Sequence, residues 1–205
     1  PERMGGNFTG QRSAALFSEW IRDAIAENRP YNEIVQQIII ARGSTLQVGP
    51  ANFYKIDRAP EDRMETVAQA FLGQRMACAR CHKHPFDKWS TDDYWNFAAF
   101  MGKVGTRGGT VEGEEFLVYE PGGNVINQSV TGKRGRVALP TLLGEKQPLA
   151  IANIQTKPGM EPDVLDAFAK WCTAPDNTFF ARATVNRLWS HYLGRGIVHP
   201  VDDMR

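Results

Sequence analysis

The sequence has no long hydrophobic run, almost no excess of charge and few cysteines, and each absence excludes a class of protein. No uninterrupted run of eighteen apolar residues occurs, so no segment is built to span a bilayer as a helix. The 24 basic and 23 acidic residues give a net charge of +1, which provides no strongly basic surface for nucleic acid. We therefore expect neither a membrane span nor a nucleic-acid partner.

The chain begins at Pro1 with no initiator methionine and no recognisable signal peptide, so we expect an internal piece of a longer protein. A length of 205 residues with 42% hydrophobic content is enough to bury a core. Composition divides it into a helical part over residues 1–101, a glycine-rich junction over 102–160, and a second helical part over 161–205. No familiar catalytic motif occurs, so the sequence assigns no reaction.

Helical periodicity dominates both ends of the chain. Apolar residues recur at three-to-four spacing over 12–28 and again over 30–42, where Gly43 is expected to stop the helix. Pro60 and two acidic residues predict a helix start, and Ser90 with Asp93 has capping-box spacing. Two further helices are expected from Pro162 and over 178–192. The predicted fold class is mainly α, a helical core with a glycine-rich, partly β insertion between two helical parts.

The middle of the chain has a different composition. Eleven of the 19 glycines fall between residues 102 and 159, a stretch that contains neither cysteine nor histidine. Residues 116–119 and 125–126 are expected to pair as a short hairpin across Pro121, Gly122 and Gly123. This insertion therefore offers no soft metal ligand.

The motif that carries chemistry is the pentapeptide C-A-R-C-H at residues 78–82. C-x-x-C-H is the spacing that attaches c-type haem, because two thiols add to the two vinyl groups while the adjacent imidazole reaches the iron. Cys78 and Cys81 are then the attachment residues, and His82 is the proximal iron ligand. Such a haem would need room for a macrocycle beside the cysteines, and if the motif faces solvent on a rigid turn, the electron-carrier interpretation should be dropped.

The side chain on the opposite face of the iron is harder to identify. His84 is only two residues from His82, so a short peptide cannot carry it around the ring. His191 is the favoured distal ligand, although it could equally cap the end of its helix. The other candidates are His199, Met64, Met76, Met101 and Met160.

Basic residues surround the motif. Arg75, Arg80, Lys83 and Lys88 are opposed nearby in sequence only by Asp87. They could pair with haem propionates or attract an acidic partner, although a solvated basic surface is the commoner meaning of such a pattern.

The same atoms allow a zinc site instead. Cys78, Cys81, His84 and a distant imidazole, His191, would supply four soft ligands for tetrahedral zinc. A thiol–disulfide motif is a third possibility, but the strand and helix alternation of a thioredoxin-type fold is missing. Cys172 has no metal-ligand spacing to the pair and is expected to be a small buried hydrophobic residue.

Four segments carry a resemblance to a known family. They are FLGQRMACARCHKHPFDKW at 71–89, DDYWNFAAF at 92–100, EWIRDAIAENRPY at 19–31 and VNRLWSHYLGRGIVHPVDD at 185–203. The first three resemble domain of unknown function 1549, and the fourth resembles the start of domain of unknown function 1553. These domains occur in this order in large cytochrome-c-associated proteins of planctomycetes and related bacteria.

The resemblance implies an exported protein with further domains in the same chain, located in the periplasm or cell envelope. It also implies haem c on Cys78, Cys81 and His82. We therefore expect an extracytoplasmic haem-binding segment that either exchanges electrons with an unknown redox partner protein or gives redox support to an unknown reaction. The alternative is a zinc-binding or structural scaffold module, built on the same cysteines and histidines, in an exported surface or polymer-degrading assembly.

Overall fold

A computed structural model describes residues 5–128, 135–150, 154 and 162–205, excluding the side chains of residues 5–9. The α-helices within these ranges are α1 (Gly5–Ala26), α2 (Tyr31–Ile39), α3 (Pro60–Val67), α4 (Thr91–Ala98), α5 (Val164–Cys172) and α6 (Thr178–Leu193). The strands are β1 (Gly43–Ser44), β2 (Val104–Gly108), β3 (Glu115–Tyr119), β4 (Ile126–Asn127) and β5 (Arg136–Val137). Shorter 3₁₀ turns cover Gly49–Lys55, Ala77–Arg80 and Met101–Lys103, and a π turn covers Ala68–Leu72. The mainly α fold with a small β insertion is confirmed.

The first two helices form where the apolar periodicity predicts them. In α2 the buried face consists of Ile34, Val35, Ile38 and Ile39. The prediction that Gly43 ends this helix is wrong, since α2 ends at Ile39 and Gly43 begins β1 with a φ of 108°. A positive φ at glycine serves here to turn the chain into the sheet.

Helices α3 and α4 frame the C-x-x-C-H motif and begin as the sequence indicates. Pro60 occupies the first turn of α3, and Glu61 and Asp62 follow it, where free amides and the helix dipole favour negative charge. Ser90 and Asp93 form a complete capping box at the start of α4, because each side chain bonds the other residue's backbone N–H. The motif therefore lies between two helices with well-defined ends.

The predicted hairpin between residues 116–119 and 125–126 is not formed. Strand β3 instead lies between β1 and β2 in an antiparallel sheet, with Leu117 paired to Thr106 on one side and to Gly43 on the other. Both edges of β3 are occupied, so β4 pairs with β5 in a separate two-stranded sheet. Strand β2 is hard to recognise in the sequence because it contains two glycines, which are depleted in strands.

The last two helices also have side-chain caps. The Asp163 carboxylate accepts the backbone N–H of Leu165 at the start of α5. The Asn177 side chain does the same for α6, which ends at Gly194 in a left-handed conformation. Helices are thus found close to both predicted positions in the C-terminal part.

One hydrophobic core joins the three predicted parts of the chain. It includes Phe97 and Phe100 from the first part, Leu117 from the middle and Phe168 from the last, each at most 2% exposed. Residues 129–134, 151–153 and 155–160 of the predicted junction lie outside the described residues. Among the described helices, none has both the length and the apolar character needed to cross a bilayer.

Candidate functional site

The turn that leads into the C-x-x-C-H motif depends on a glycine. Gly73 ends the π turn with a φ of 63°, and a Cβ there would lie 2.5 Å from the Cγ of Met204. The backbone N–H of Met204 donates to the Gly73 carbonyl at 2.8 Å. The C-terminal residues therefore pack directly against the segment that precedes the cysteines.

Within the motif, the residues divide into an inward and an outward set. Ala79 is fully buried, and its N–H donates to the Met76 carbonyl at 2.8 Å in the 3₁₀ turn. Cys78, Cys81 and His82 are all exposed. The turn therefore presents both thiols and the imidazole to solvent rather than to an enclosed cavity.

Arg80, the fourth residue of the turn, points toward the start of α3. Its guanidinium donates to Glu61 at 2.8 Å and to Asp62 at 2.9 Å. Its backbone carbonyl accepts the indole N–H of Trp95, on α4, at 3.1 Å. Both flanking helices thus hold the motif through this one residue.

A backbone carbonyl selects the tautomer of the His82 ring. Its Nδ1 lies 2.8 Å from the backbone carbonyl oxygen of Lys83. A carbonyl oxygen only accepts, so Nδ1 carries the hydrogen and, in the neutral ring, Nε2 carries the lone pair. Histidines that ligate metals usually donate their other ring N–H to a carbonyl or carboxylate in this way.

His84 has the opposite arrangement. Its ring is 6% exposed, and Nδ1 accepts the backbone N–H of Phe86 at 3.2 Å. Its own backbone N–H donates to the Trp89 carbonyl at 2.9 Å, which closes the loop after the motif. His84 is therefore a structural residue of this loop.

The three cysteines are all free thiols, and they differ in environment. Cys172 is fully buried in the core, as predicted, and this burial raises the pKa of its thiol to about 12. It remains protonated and shielded at neutral pH. Only Cys78 and Cys81 present reactive sulfur at the surface.

The alternative zinc set is not assembled. Within the described residues, no group of three or more histidine, cysteine, aspartate or glutamate side chains is placed to hold a metal ion. His84 uses Nδ1 in its own loop, and His191 is an exposed residue in the last turn of α6, with its ring edge-on to Tyr192. Cys78, Cys81, His84 and His191 therefore do not converge as four ligands.

Burial distinguishes the candidates for a distal iron ligand, because some are enclosed in the core and others are exposed. Met64, Met76 and Met101 are at most 2% exposed within the hydrophobic core, so a group at the surface cannot reach them. His199 is exposed, and Met160 lies outside the described residues. The assignment of His191 as distal ligand stays a prediction.

Two of the basic residues around the motif have acidic partners that lie far from them in the sequence. Arg75 pairs with Asp202 at 2.7 Å, and Arg80 pairs with Glu61 and Asp62. These acids lie at a helix start and in a C-terminal turn. No local spacing in the sequence relates them, or Trp95, to the motif. The signal that was missing is long-range, because Arg75 and Asp202 are 127 positions apart.

Asp202, one of the two acids in the C-terminal turn, takes part in this pairing. Burial raises the pKa of its carboxyl, but hydrogen bonds from Gln69 and Arg75 outweigh that effect and hold the pKa below its ordinary value. Its neighbour Asp203 is 5% exposed and pairs with Arg205. The guanidinium of Arg205 in turn lies 5.9 Å from the ring centroid of Phe86, in the loop after the motif.

Comparison with known proteins gives two matches, both to families without an assigned activity. The family model PSCyt2, described as "Protein of unknown function (DUF1549)", matches residues 2–106. The model PSD1, described as "Protein of unknown function (DUF1553)", matches residues 166–205. The order of the two families is the one that the sequence resemblance predicted. No curated protein and no solved structure matches the chain.

Proposed function

The chain belongs to the PSCyt2 (DUF1549) family, and we propose that its C-x-x-C-H motif is a surface attachment site for c-type haem. The donor chemistry of the motif fits that group. Cys78 and Cys81 are free, exposed thiols at the required spacing, and His82 follows directly. Residues 78–82 would hold the haem through two sulfurs and one imidazole nitrogen.

The observation that carries the proposal is the hydrogen bond between His82 Nδ1 and the Lys83 carbonyl. It assigns the hydrogen to Nδ1, orients the ring and leaves the Nε2 lone pair free on an exposed side chain. Those are the requirements for an axial ligand, since the second hydrogen bond of a ligating histidine determines both its tautomer and its orientation. His84 meets neither requirement, because its Nδ1 is already an acceptor.

Attachment at the cysteines needs no added oxidant or reductant. Each thiol would add across one vinyl group, forming a C–S bond as the vinyl π bond breaks, with the S–H proton going to the other vinyl carbon. Both sulfurs must therefore be reduced, and both are. Haem, when bound, supplies reversible one-electron chemistry at its iron.

Exposure of the motif determines what kind of haem site is proposed. Cys78, Cys81 and His82 face solvent, which counts against the enclosed pocket of a self-contained electron carrier. A haem held at the surface is instead accessible to a redox partner protein. We accordingly propose an extracytoplasmic haem-attachment segment that gives redox support to a reaction of a larger protein, in keeping with the exported proteins that the family resemblance implies.

The zinc and scaffold alternative has less support. It needs His84 and His191 beside the two thiols, and the described residues contain no such cluster. A purely structural role does not account for the exposure of both thiols, because structural cysteines are usually buried, as Cys172 is. Haem attachment is therefore the function that the geometry supports best.

The test is to produce the chain together with a cytochrome c maturation system and to record its visible absorption spectrum. We expect a c-type spectrum on reduction, and colour that stays with the protein after acid–acetone extraction, since thioether bonds survive that treatment. A matched preparation made without the maturation system should be colourless. A colourless protein that contains one zinc ion per chain would contradict haem attachment and restore the alternative.

A further inference from the structure

Arg80 lies between the two cysteines, yet its side chain points away from them. We propose that Arg80 is a positioning residue, which holds the motif in the geometry that haem attachment requires. This inference rests on the proposed function and deepens it. It assigns a role to a motif position that the C-x-x-C-H pattern leaves open.

The side chain of Arg80 is anchored to the start of α3. Its two terminal nitrogens bond separate carboxylates, with Glu61 at 2.8 Å and Asp62 at 2.9 Å, while Glu65 lies 3.9 Å away. A guanidinium fork can reach two carboxylates at once, whereas a lysine ammonium offers a single point of charge. The anchor therefore restrains the direction of the side chain as well as its position.

The backbone of Arg80 is anchored separately to α4. Its carbonyl accepts the indole N–H of Trp95 at 3.1 Å, and Trp95 is 3% exposed. The Trp95 ring packs edge-on against Tyr94 at 5.4 Å, and the Tyr94 hydroxyl donates to Glu65. The carboxylates of α3 and the aromatic rings of α4 thus form one connected network around Arg80.

These two anchors restrain the residues that lie between the cysteines and the chain that follows them. Ala79 is fully buried and Arg80 is held on both its side chain and its carbonyl, so the chain direction at Cys81 is determined from within the fold. Cys78, Cys81 and His82 are left pointing outward. A short turn fastened at its inner residues can present three outer groups in a constant arrangement, which a reaction at two sulfurs requires.

Stability alone does not account for this arrangement. The Arg80 side chain is 37% exposed, and its partners Asp62 and Glu61 are 45% and 17% exposed, so water screens the first ion pair fully and the second in part, and together they contribute little to folding. The expected consequence of losing Arg80 is therefore local. Attachment should suffer far more than the melting temperature of the chain.

The experiment compares Arg80→Gln, Arg80→Lys and a matched control, Arg107→Gln. Arg107 is an exposed arginine on β2 that pairs with Glu120 at 3.0 Å, far in sequence from the motif. Each variant is made as the full 205-residue chain. Three quantities are measured: covalent haem per chain after equal maturation times, amide hydrogen exchange of the segment 76–82 in chain made without haem, and the melting temperature.

We expect Arg80→Gln to slow attachment roughly tenfold, because small misplacements of reacting groups cost at least that much. Exchange of the Ala79 amide should rise by about tenfold as the turn opens locally. Arg80→Lys should recover only part of both effects, and Arg107→Gln should match the wild-type chain. If Arg80→Gln fails to fold, the double variant Glu61→Ala with Asp62→Ala removes both hydrogen-bonded partners while keeping the arginine.

The outcomes separate the two proposals. A wild-type chain that takes up no haem contradicts the proposed function, and the positioning role then falls with it. A wild-type chain that takes up haem, beside an Arg80→Gln chain that does so at the same rate, overturns the role of Arg80 alone. Unchanged hydrogen exchange over 76–82 in Arg80→Gln also overturns it, because the anchor would then not hold the turn.

Discussion

Phe100 and Phe168 stack with ring centroids 4.8 Å apart and planes 25° from parallel. Phe100 precedes β2 in the region that matches the first family, while Phe168 lies on α5 in the region that matches the second. Both rings are fully buried. The two family regions therefore share one core, and the chain should unfold as a unit rather than as two independent parts.

Removal of the Phe168 ring tests that coupling. We expect Phe168→Ala to lower the free energy of unfolding by about 3–5 kcal/mol, because a buried aromatic ring leaves a cavity that the core cannot fill. Urea unfolding followed by tryptophan fluorescence should show one transition that shifts as a whole. The control is Phe116→Ala, which removes a 38% exposed ring on β3 and should change stability far less. Two separate transitions, with only one shifted, would contradict the shared core.

Substitution of a cysteine should change the visible absorption of the haem-loaded protein only where that cysteine holds haem. Cys81→Ser should lower haem retention, because one of the two thioether bonds is lost and only Cys78 remains to hold the group covalently. Cys172→Ser should leave the visible spectrum unchanged, since Cys172 is buried in the core at a distance from the motif in sequence. Absorption spectra before and after acid–acetone extraction measure both. Loss of colour in Cys172→Ser would show that the cysteine assignment is wrong.

The Asp202 carboxylate should contribute to stability in a pH-dependent way. Its folded-state pKa lies below the ordinary value of 3.8, so its contribution is fully present above that value and is lost as the pH falls through the folded-state pKa. The size should be below about 1 kcal/mol, because its partner Arg75 is 45% exposed and the pair is screened.

Urea midpoints of Asp202→Asn and the wild-type chain, measured from neutral pH down to about pH 3, check this expectation. The difference between the two proteins should shrink in acid. Glu120→Gln is the control, because its pair with Arg107 is exposed on both sides and should contribute almost nothing. A constant difference for Asp202→Asn across the pH range would rule out the ion pair as its cause.

The helices were predictable because their signals are local. Proline in the first turn of α3, the Ser90–Asp93 capping box and the apolar spacing of α2 all lie within a few residues of the structure that they specify. The strand partners were not predictable in this way, since β3 is paired by β1, about seventy residues earlier, and by a glycine-containing strand.

The candidate site likewise has one part that is encoded locally in the sequence and another that depends on distant residues. The C-x-x-C-H spacing identifies the two thiols and His82 from five consecutive residues. The contacts that hold the motif come from elsewhere: Arg80 reaches residues 18 and 19 positions earlier, and Trp95 is 15 positions later. Which neighbouring acid pairs with which arginine depends on how the helices pack, and no local pattern encodes that packing.

The capping box of α4 supports the motif indirectly, because this helix carries Trp95, which donates to the Arg80 carbonyl. The Ser90 hydroxyl oxygen accepts the Asp93 N–H at 3.1 Å, and the Asp93 carboxylate accepts the Ser90 N–H at 2.8 Å. Ser90→Ala removes the first of these bonds, which should cost about 1 kcal/mol of unfolding free energy. Ser18→Ala is the matched control, since Ser18 is exposed within α1 and alanine is favoured in a helix interior. Thermal unfolding of the two variants should therefore shift in opposite directions, and a Ser90→Ala chain as stable as the wild type would mean that the cap does not hold α4 in place.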